Sequence, residues 1–464
     1  MLDLDAAALT AAYRDRRLSP VEVAGAVLDR ATALQPALNA FAAFDHDGAL
    51  AAARQSEARW RAGQPLGPLD GVPVSVKDLM TAAGMPTRLG SRAVGPDDLP
   101  RIDAPAVARC RQAGAVIFGK TTTSEFGNLI VTQSQLHGIT RNPWNPDRTS
   151  GGSSGGAGVA AAMGLGPIAI ATDGGGSIRI PAAWNGVVGF KPSYKRVPTA
   201  ATEGFGRLSH VGPIARRVAD IGLAMTVMTR SDGSDWQAAP ADGTDYMPPG
   251  EPDLTGLRIA YSRDLGIAPV PDDIAAPVAA AARTLAGLGA EVSDVGAVPA
   301  LAGYVDSRLH SIQWMVNLAH RVQAYDDERR ALIGPEVMEL AAIGAELPLA
   351  AHVAALDARE RLGRAMHAFL TDYDVLVCPT FHADPPPVPG LPVELREAPR
   401  LTSWCNQTLQ PAISLPCGFS AAGMPVGLQI VARRYADARV LRVAAAFEAA
   451  RGPFPAAPLP AGVR

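Results

Sequence analysis

Aromatic side chains are scarce in this sequence, at 5% of 464 residues, and so are histidine, with eight copies, and cysteine, with four. Cys110, Cys378, Cys405 and Cys417 show no CxxC spacing, and no histidine stands in an HExxH or Cys/His pattern. The familiar metal-binding motifs are therefore excluded, and no cofactor is implied. The last three cysteines have apolar neighbours and read as reduced, buried packing residues. Basic blocks are missing too. The 42 Lys+Arg residues nearly balance 45 Asp+Glu, for a formal charge of −3, with no arginine–aromatic interleaving. Nucleic acid is not expected as a direct ligand. Residues 1–17 are acidic at the outset and have no apolar core of the kind a signal peptide needs, so a cytoplasmic setting is expected.

Long apolar runs are also absent, with one near miss. The 24 residues between Arg148 and Asp173 carry no charge, which satisfies the length of a membrane-spanning helix. The run opens on serines and glycines, however, and Gly164, Gly166 and Pro167 interrupt it. A buried helix followed by a strand is the better reading, and no membrane partner is expected.

What is present is 48% hydrophobic residues against 19% charged, the balance of a globular protein with a large core. Residues 1–63 read as an N-terminal helical layer: Ser19-Pro20 is an N-cap with proline at the first helical position, and a second helix is expected over about 47–61. Val72, Val74 and Val76 then alternate as a strand that ends at Lys77. Residues 103–127 read as helix, strand, helix. Leu257–Ser262 and Ala290–Val295 read as strands flanking a helix over 272–288. Residues of about 301–370 are predominantly helical and are expected as an insertion over one face. His310, His320, His352 and His367 fall there, in what read as surface helices. His382–Pro392 is a proline-rich loop. There is no internal repeat.

Two motif matches fail on context. Gly114–Thr121, GAVIFGKT, fits the phosphate-loop expression GxxxxGK[ST], but its four central residues are apolar and must themselves be the strand, which leaves no loop to wrap a phosphate. Gly152-Ser153-Ser154-Gly155-Gly156 fits the GxSxG elbow with Ser154 as nucleophile, yet the residues before it hold two prolines and no strand pattern. Ser177 has the better setting. Residues 167–171 form a plausible buried strand, TDGGGS is a tight turn, and IRIPAAWNG can start a helix. Glycines around a serine let backbone N–H groups approach a ligand, and two such serines, Ser153 and Ser177, lie 24 residues apart. A serine nucleophile needs a base. Lys77 is a candidate, although a Ser-His-Asp triad stays open because its members are distant in sequence.

GGSSGG, TDGGGSIRIPAAWNGVVGFKP and the upstream PVSVKD resemble the amidase signature family. LSHVGPIARRVAD (208–220), DVLVCPT (374–380), QPAISLPCGF and PVGLQIVARR (410–434) follow in that family's order, so the resemblance covers nearly the whole chain. It implies an α/β fold: a single large α/β/α domain with a mixed central β-sheet covered by helices, running over 1–464, with a signature core over 64–220. It also implies a Ser-cisSer-Lys triad at Ser177, Ser153 and Lys77, with Gly174, Gly175 and Gly176 as oxyanion and substrate-binding positions beside the Ser177 N–H. Lysine's reference pKa is about 10.4, so acting as a base near neutrality requires deprotonation to become about 4 kcal/mol easier in the fold. Asp173 and Arg179 read as an ion pair that fixes the turn. Two positions depart from the family: Gly174 stands where Thr or Ile is frequent, and Thr122, expected on the substrate side, stands where asparagine is frequent.

The implied activity is hydrolysis of a carboxylic amide, and also of esters, through an acyl-enzyme. With few aromatics and no evident carboxylate-binding arginine, a neutral aliphatic or aryl amide is expected. The implied partners are a small-molecule amide and, at most, a second copy of the chain. One alternative is the amidase subunit of a tRNA-dependent amidotransferase, against which KDLM stands in place of a KDNI-like form. The other is a non-catalytic binding protein, which would be expected to have lost at least one of the three triad residues.

Overall fold

Period-two alternation decides which way each strand's side chains face, and here it builds two cores on one sheet. The computed structural model describes residues 1–96, 99–199, 206–231, 233–248, 253–391 and 400–460. Its strands are β1 (Phe41–Phe44), β2 (Pro73–Lys77), β3 (Val116–Thr121), β4 (Gln133–Ser134), β5 (Gly138–Ile139), β6 (Ile168–Asp173), β7 (Val188–Lys191), β8 (His210–Ala215), β9 (Arg258–Tyr261), β10 (Glu291–Asp294), β11 (Val375–Pro379), β12 (Ala412–Phe419) and β13 (Pro425–Ala432). Apart from the β4–β5 pair they form one 11-stranded sheet, in the order β1-β3-β2-β6-β8-β7-β12-β13-β11-β9-β10. The contacts β3–β2–β6 and β11–β9–β10 are parallel and the others antiparallel, which makes the sheet mixed.

The helices are α1 (Ala6–Arg14), α2 (Pro20–Leu38), α3 (His46–Arg61), α4 (Pro105–Gln112), α5 (Gly155–Ala162), α6 (Arg179–Asn185), α7 (Val218–Met228), α8 (Asp272–Gly287), α9 (Leu309–Gln323), α10 (Asp327–Arg330), α11 (Pro335–Glu346), α12 (Leu349–Asp372), α13 (Arg400–Gln407) and α14 (Asp437–Arg451). On one face, Val74, Val76, Ile168 and Ile170 pack with residues of α4 and α7. On the other, Ala169 and Ala171 pack with α5 and α6. Small residues there let α5 lie close to the sheet: a Cβ on Gly156 would stand only 2.4 Å from the Ala40 carbonyl oxygen. Lys77 shares the parity of Ser75, opposite to Val74 and Val76, and so belongs to the α5 face.

The expected helix-then-strand between Arg148 and Asp173 is α5 followed by β6, buried throughout apart from a half-buried Ala162. Among the described residues no single helix is long and apolar enough to cross a membrane. Ser19 caps α2 in a capping box with Glu22, and GAVIFGKT becomes strand β3 from Val116 onward, with Gly114 and Ala115 ahead of it.

Some expectations need correction. The N-terminal layer is not all helix, because β1 leaves it to pair antiparallel with β3, where Phe41 packs on Phe118 at 5.5 Å between ring centroids. Residues 122–127 hold only a 3₁₀ turn, Glu125–Gly127. The hydroxyls there bond to backbone instead, Thr122 Oγ1 to the Ala40 carbonyl and Ser124 Oγ receiving the Leu129 N–H, which is the competition with helix that such side chains offer. Cys417 is half-buried, while Cys110, Cys378 and Cys405 are buried, and all four are free thiols. Pro392 of the proline-rich loop lies outside the described residues.

Candidate active site

Lys77 ends β2 with its side chain fully buried. Its Nζ lies 2.7 Å from Ser153 Oγ, 2.7 Å from Ser154 Oγ and 3.0 Å from Thr172 Oγ1. Among the described residues no carboxylate bonds it. Burial therefore drives its pKa well below the ordinary lysine value, against a smaller opposing pull from the Asp173 carboxylate. The bond pattern is informative about protons. Ser154 Oγ gives its own hydrogen to the Thr172 carbonyl at 3.1 Å, so toward Lys77 it acts as acceptor. A neutral amine has two hydrogens and one lone pair. If Ser154 and Thr172 take the two hydrogens, the lone pair faces Ser153, in the polarity needed to receive a proton from it.

Ser153 follows a cis peptide bond after Gly152 and lies just ahead of α5. The Ser154 N–H donates to the Ser177 carbonyl at 3.3 Å, which ties this loop to the second serine. No hydrogen bond joins the hydroxyls of Ser153 and Ser177 in this structure. Ser177 is 8% exposed and lies on the wall of a cavity of about 770 Å³ together with Gly175 and Gly176.

The turn between β6 and α6 is held from several sides. Asp173 accepts the Gly176 N–H at 2.8 Å and the Ile178 N–H at 3.1 Å. Arg179 grips the same carboxylate in bidentate fashion, at 3.0 and 2.9 Å, and also reaches Gln429 and the Thr402 carbonyl. From α13, Asn406 Nδ2 bonds Asp173 and Thr402 Oγ1 bonds the Gly175 carbonyl at 2.6 Å. Burial pushes the Asp173 carboxyl up, but the Arg179 guanidinium and the hydrogen bonds outweigh it and hold the group well below the usual carboxylate range. The ion pair read from the sequence thus exists, and it is a fully satisfied buried network.

That network also changes the reading of the glycines. The Gly176 N–H is committed to Asp173, so Gly176 serves the turn, at φ +136°. Among the described residues the N–H groups of Gly174, Gly175 and Ser177 have no acceptor within the protein. These three are the groups available to a developing negative charge.

Other site residues are not legible in the sequence. Ser154 fits the nucleophile position of an elbow motif, whereas its hydroxyl bonds Lys77. Thr172 opens the TDGGGS turn, but nothing in that motif points its hydroxyl at Lys77. His310 reads as a surface-helix residue, but α9 brings it to the cavity wall with its Nε2 beside Gly175. Trp314, one turn further along, stacks on it. Arg308 and Arg400 also line the cavity, where the sequence offered no evident carboxylate-binding arginine. Thr122, expected on the substrate side, is instead buried against Ala40 and Thr140. Its hydroxyl is used up there, away from the cavity. His310, Trp314, Arg308 and Arg400 reach the cavity through the way α9 and α13 fold back on the signature core. A spacing rule within one segment has no access to that.

Comparison with known proteins follows the same lines. The sequence model of the Amidase family matches residues 22–441. The chain is 37% identical over 462 residues to the acylamidase of Rhodococcus erythropolis, covering 97% of this chain and 95% of that one. It is 33% identical over 470 residues to a glutamyl-tRNA(Gln) amidotransferase subunit of Chloroflexus aurantiacus, covering 96% of each. Among solved structures, a bacterial aryl acylamidase of the amidase signature enzymes superposes with a TM-score of 0.89 at 29% identity over 96% of each chain. A 6-aminohexanoate cyclic dimer hydrolase complexed with substrate superposes at 0.86 and 29% identity, over 97% of each chain.

Proposed function

The chain belongs to the amidase signature family and is an amidase, a hydrolase acting on carbon–nitrogen bonds, and from that premise we propose that it works as a stand-alone hydrolase of small carboxylic amides, with Ser177 as nucleophile. The observation that carries this reading is the environment of Lys77: a buried lysine whose hydrogen bonds, among the described residues, all go to hydroxyls, one of them Ser153 at 2.7 Å.

In the proposed reaction, Ser177 Oγ attacks the amide carbonyl. Its proton passes to Ser153 Oγ while the Ser153 proton passes to the neutral Lys77 amine. The tetrahedral oxyanion is held by the N–H groups of Gly174, Gly175 and Ser177. The carbon–nitrogen bond then breaks as Ser153 protonates the departing nitrogen and recovers a proton from Lys77. Ammonia or an amine leaves, and the acyl group remains on Ser177. Water attacks the ester through the same relay, the carboxylate is released, and Ser177 regains its proton. An ester enters this sequence as readily as an amide, because only the leaving group differs. Asp173 and Arg179 are positioning residues that keep the donors of the turn aimed.

The second reading, an amidase component working within a tRNA-dependent assembly, is favoured by the identity to the glutamyl-tRNA(Gln) amidotransferase polypeptide. A homodimer and a cytoplasmic setting belong to the stand-alone proposal. A fluorophosphonate probe followed by peptide mapping tests the nucleophile: the adduct is expected on Ser177 and absent in Ser177→Ala, and an adduct on Ser154 would overturn the assignment. Turnover of simple amides by the purified chain is expected with no other polypeptide added. Turnover that appears only when partner polypeptides are supplied would favour the second reading.

A further inference from the structure

Gly174 and Gly175 have no side chains because the space is already taken. A Cβ on Gly174 would stand 2.8 Å from Trp314 Cζ3, and one on Gly175 would stand 2.9 Å from His310 Nε2, both well inside the 3.5–4.0 Å at which carbon contacts are comfortable. Two rings from α9 therefore rest directly on the backbone that presents the free N–H groups. The rings stack on each other, with centroids 5.7 Å apart and planes inclined by 28°. Both are pinned. Trp314 Nε1 donates to Asn128 Oδ1 at 2.7 Å, and His310 Nδ1 lies 3.2 Å from Gln407 Nε2. Burial pushes the His310 pKa down to about 4, so near neutrality this ring is uncharged. Both residues line the cavity that Ser177 faces.

We propose that the stacked His310–Trp314 pair is the acyl-recognition platform of the enzyme and that it selects amides whose carbonyl carbon bears a flat, conjugated group. This rests on the reading of Ser177 as nucleophile. With the carbonyl oxygen turned toward the N–H groups of Gly174, Gly175 and Ser177, and the departing nitrogen turned toward Ser153, the substituent left over is the acyl group, and the α9 rings bound the space it enters. A planar ring offset on Trp314 and His310 gains ring–ring attraction beyond simple burial, and a platform already held in place loses little freedom when the ligand arrives. A saturated ring of the same size gains only the burial. The same packing explains why glycine replaces Thr or Ile at position 174: a larger residue there would evict Trp314.

The test uses the full-length protein and two covalent probes, benzenesulfonyl fluoride and cyclohexanesulfonyl fluoride, with adducts mapped to Ser177. The quantity read is the ratio of their inactivation rate constants, compared between wild type and variants so that the probes' intrinsic reactivities cancel. Trp314→Leu is expected to lower the aryl-to-cyclohexyl ratio about threefold to tenfold, the range such a ring pair contributes, and Trp314→Phe is expected to restore most of it. His310→Leu reads the same ratio should Trp314→Leu not fold. A ratio unchanged by the loss of either ring would overturn the platform while leaving Ser177 as nucleophile. Failure of both probes to mark Ser177 in the wild type would overturn the nucleophile reading and this inference with it.

Discussion

Replacing Ser154 with alanine tests the proton inventory around Lys77 more sharply than removing the lysine itself. Ser154 Oγ accepts from Lys77 Nζ at 2.7 Å and sends its own hydrogen to the Thr172 carbonyl, so it takes one hydrogen from the lysine in either protonation state. Its loss therefore hurts both forms, but unequally. A hydrogen bond to a charged group is worth about 1.5–3 kcal/mol and one between neutral groups about 0.5–1.5 kcal/mol. The ammonium form of Lys77 should thus lose about 1 kcal/mol more than the amine, which corresponds to a further fall in pKa of about 0.7. The sign for activity follows directly. A base must be unprotonated, Lys77 already titrates well below ordinary lysine, and activity is present above its folded pKa and lost as pH falls through it. In Ser154→Ala the acid limb of kcat/KM should move to lower pH by about 0.7, with a lower plateau because the amine is less well aimed. The assay is a pH–rate profile on one amide for wild type and variant, with circular dichroism confirming the fold. An acid limb that moves to higher pH, or stays in place while the plateau falls, would refute the reasoning that Lys77 works as a neutral amine bonded to three hydroxyls.

Lys77→Ala, Ser153→Ala and Ser177→Ala should each remove nearly all amide turnover while circular dichroism shows the fold intact. The Lys77→Ala/Ser153→Ala double variant should be no worse than the more damaging single, since relay members act as a unit, and multiplying losses in steady-state rates would refute the relay. Arg179→Met leaves the Asp173 carboxylate buried without its partner and should destabilise the protein by about 3–5 kcal/mol in urea unfolding; a shift under about 1 kcal/mol would mean the pair carries little of the turn's rigidity. Gly174→Ile should lower both stability and turnover by displacing Trp314, and Trp314→Ala in the same chain should recover part of the stability; strictly additive unfolding energies would count against the contact. The lowered Lys77 pKa also makes unfolding free energy rise with pH from its folded value up to about 10.4, because the unfolded chain binds the extra proton across that window. Lys77→Met should flatten that part of the stability profile.

Local pattern and motif order were enough for much of this molecule. Alternating valines before Lys77, the apolar centre of GAVIFGKT and the Ser19-Pro20 cap each report a conformation dictated within a few residues, and the elements formed where those signals stood. The order of the glycine-framed serines and their flanking motifs was likewise enough to place the chain in its family and to anticipate a mixed α/β sheet. Tertiary structure decided what surrounds those residues. Four residues at 41–44 became a strand only because β3 offered an edge, and the hydroxyls of Thr122 and Ser124 gave up a helix for backbone partners at Ala40 and Leu129. Which N–H groups of the glycine turn remain free was settled by Asp173, whose carboxylate takes the Gly176 N–H while Arg179 and Asn406 hold it in place. Likewise, His310 and Trp314 are an ordinary i, i+4 pair on an amphipathic helix until α9 lays them over Gly174 and Gly175. Burial, charge pairing and close packing are properties of segments brought together, and these fix the protonation of Lys77 and the shape of the pocket.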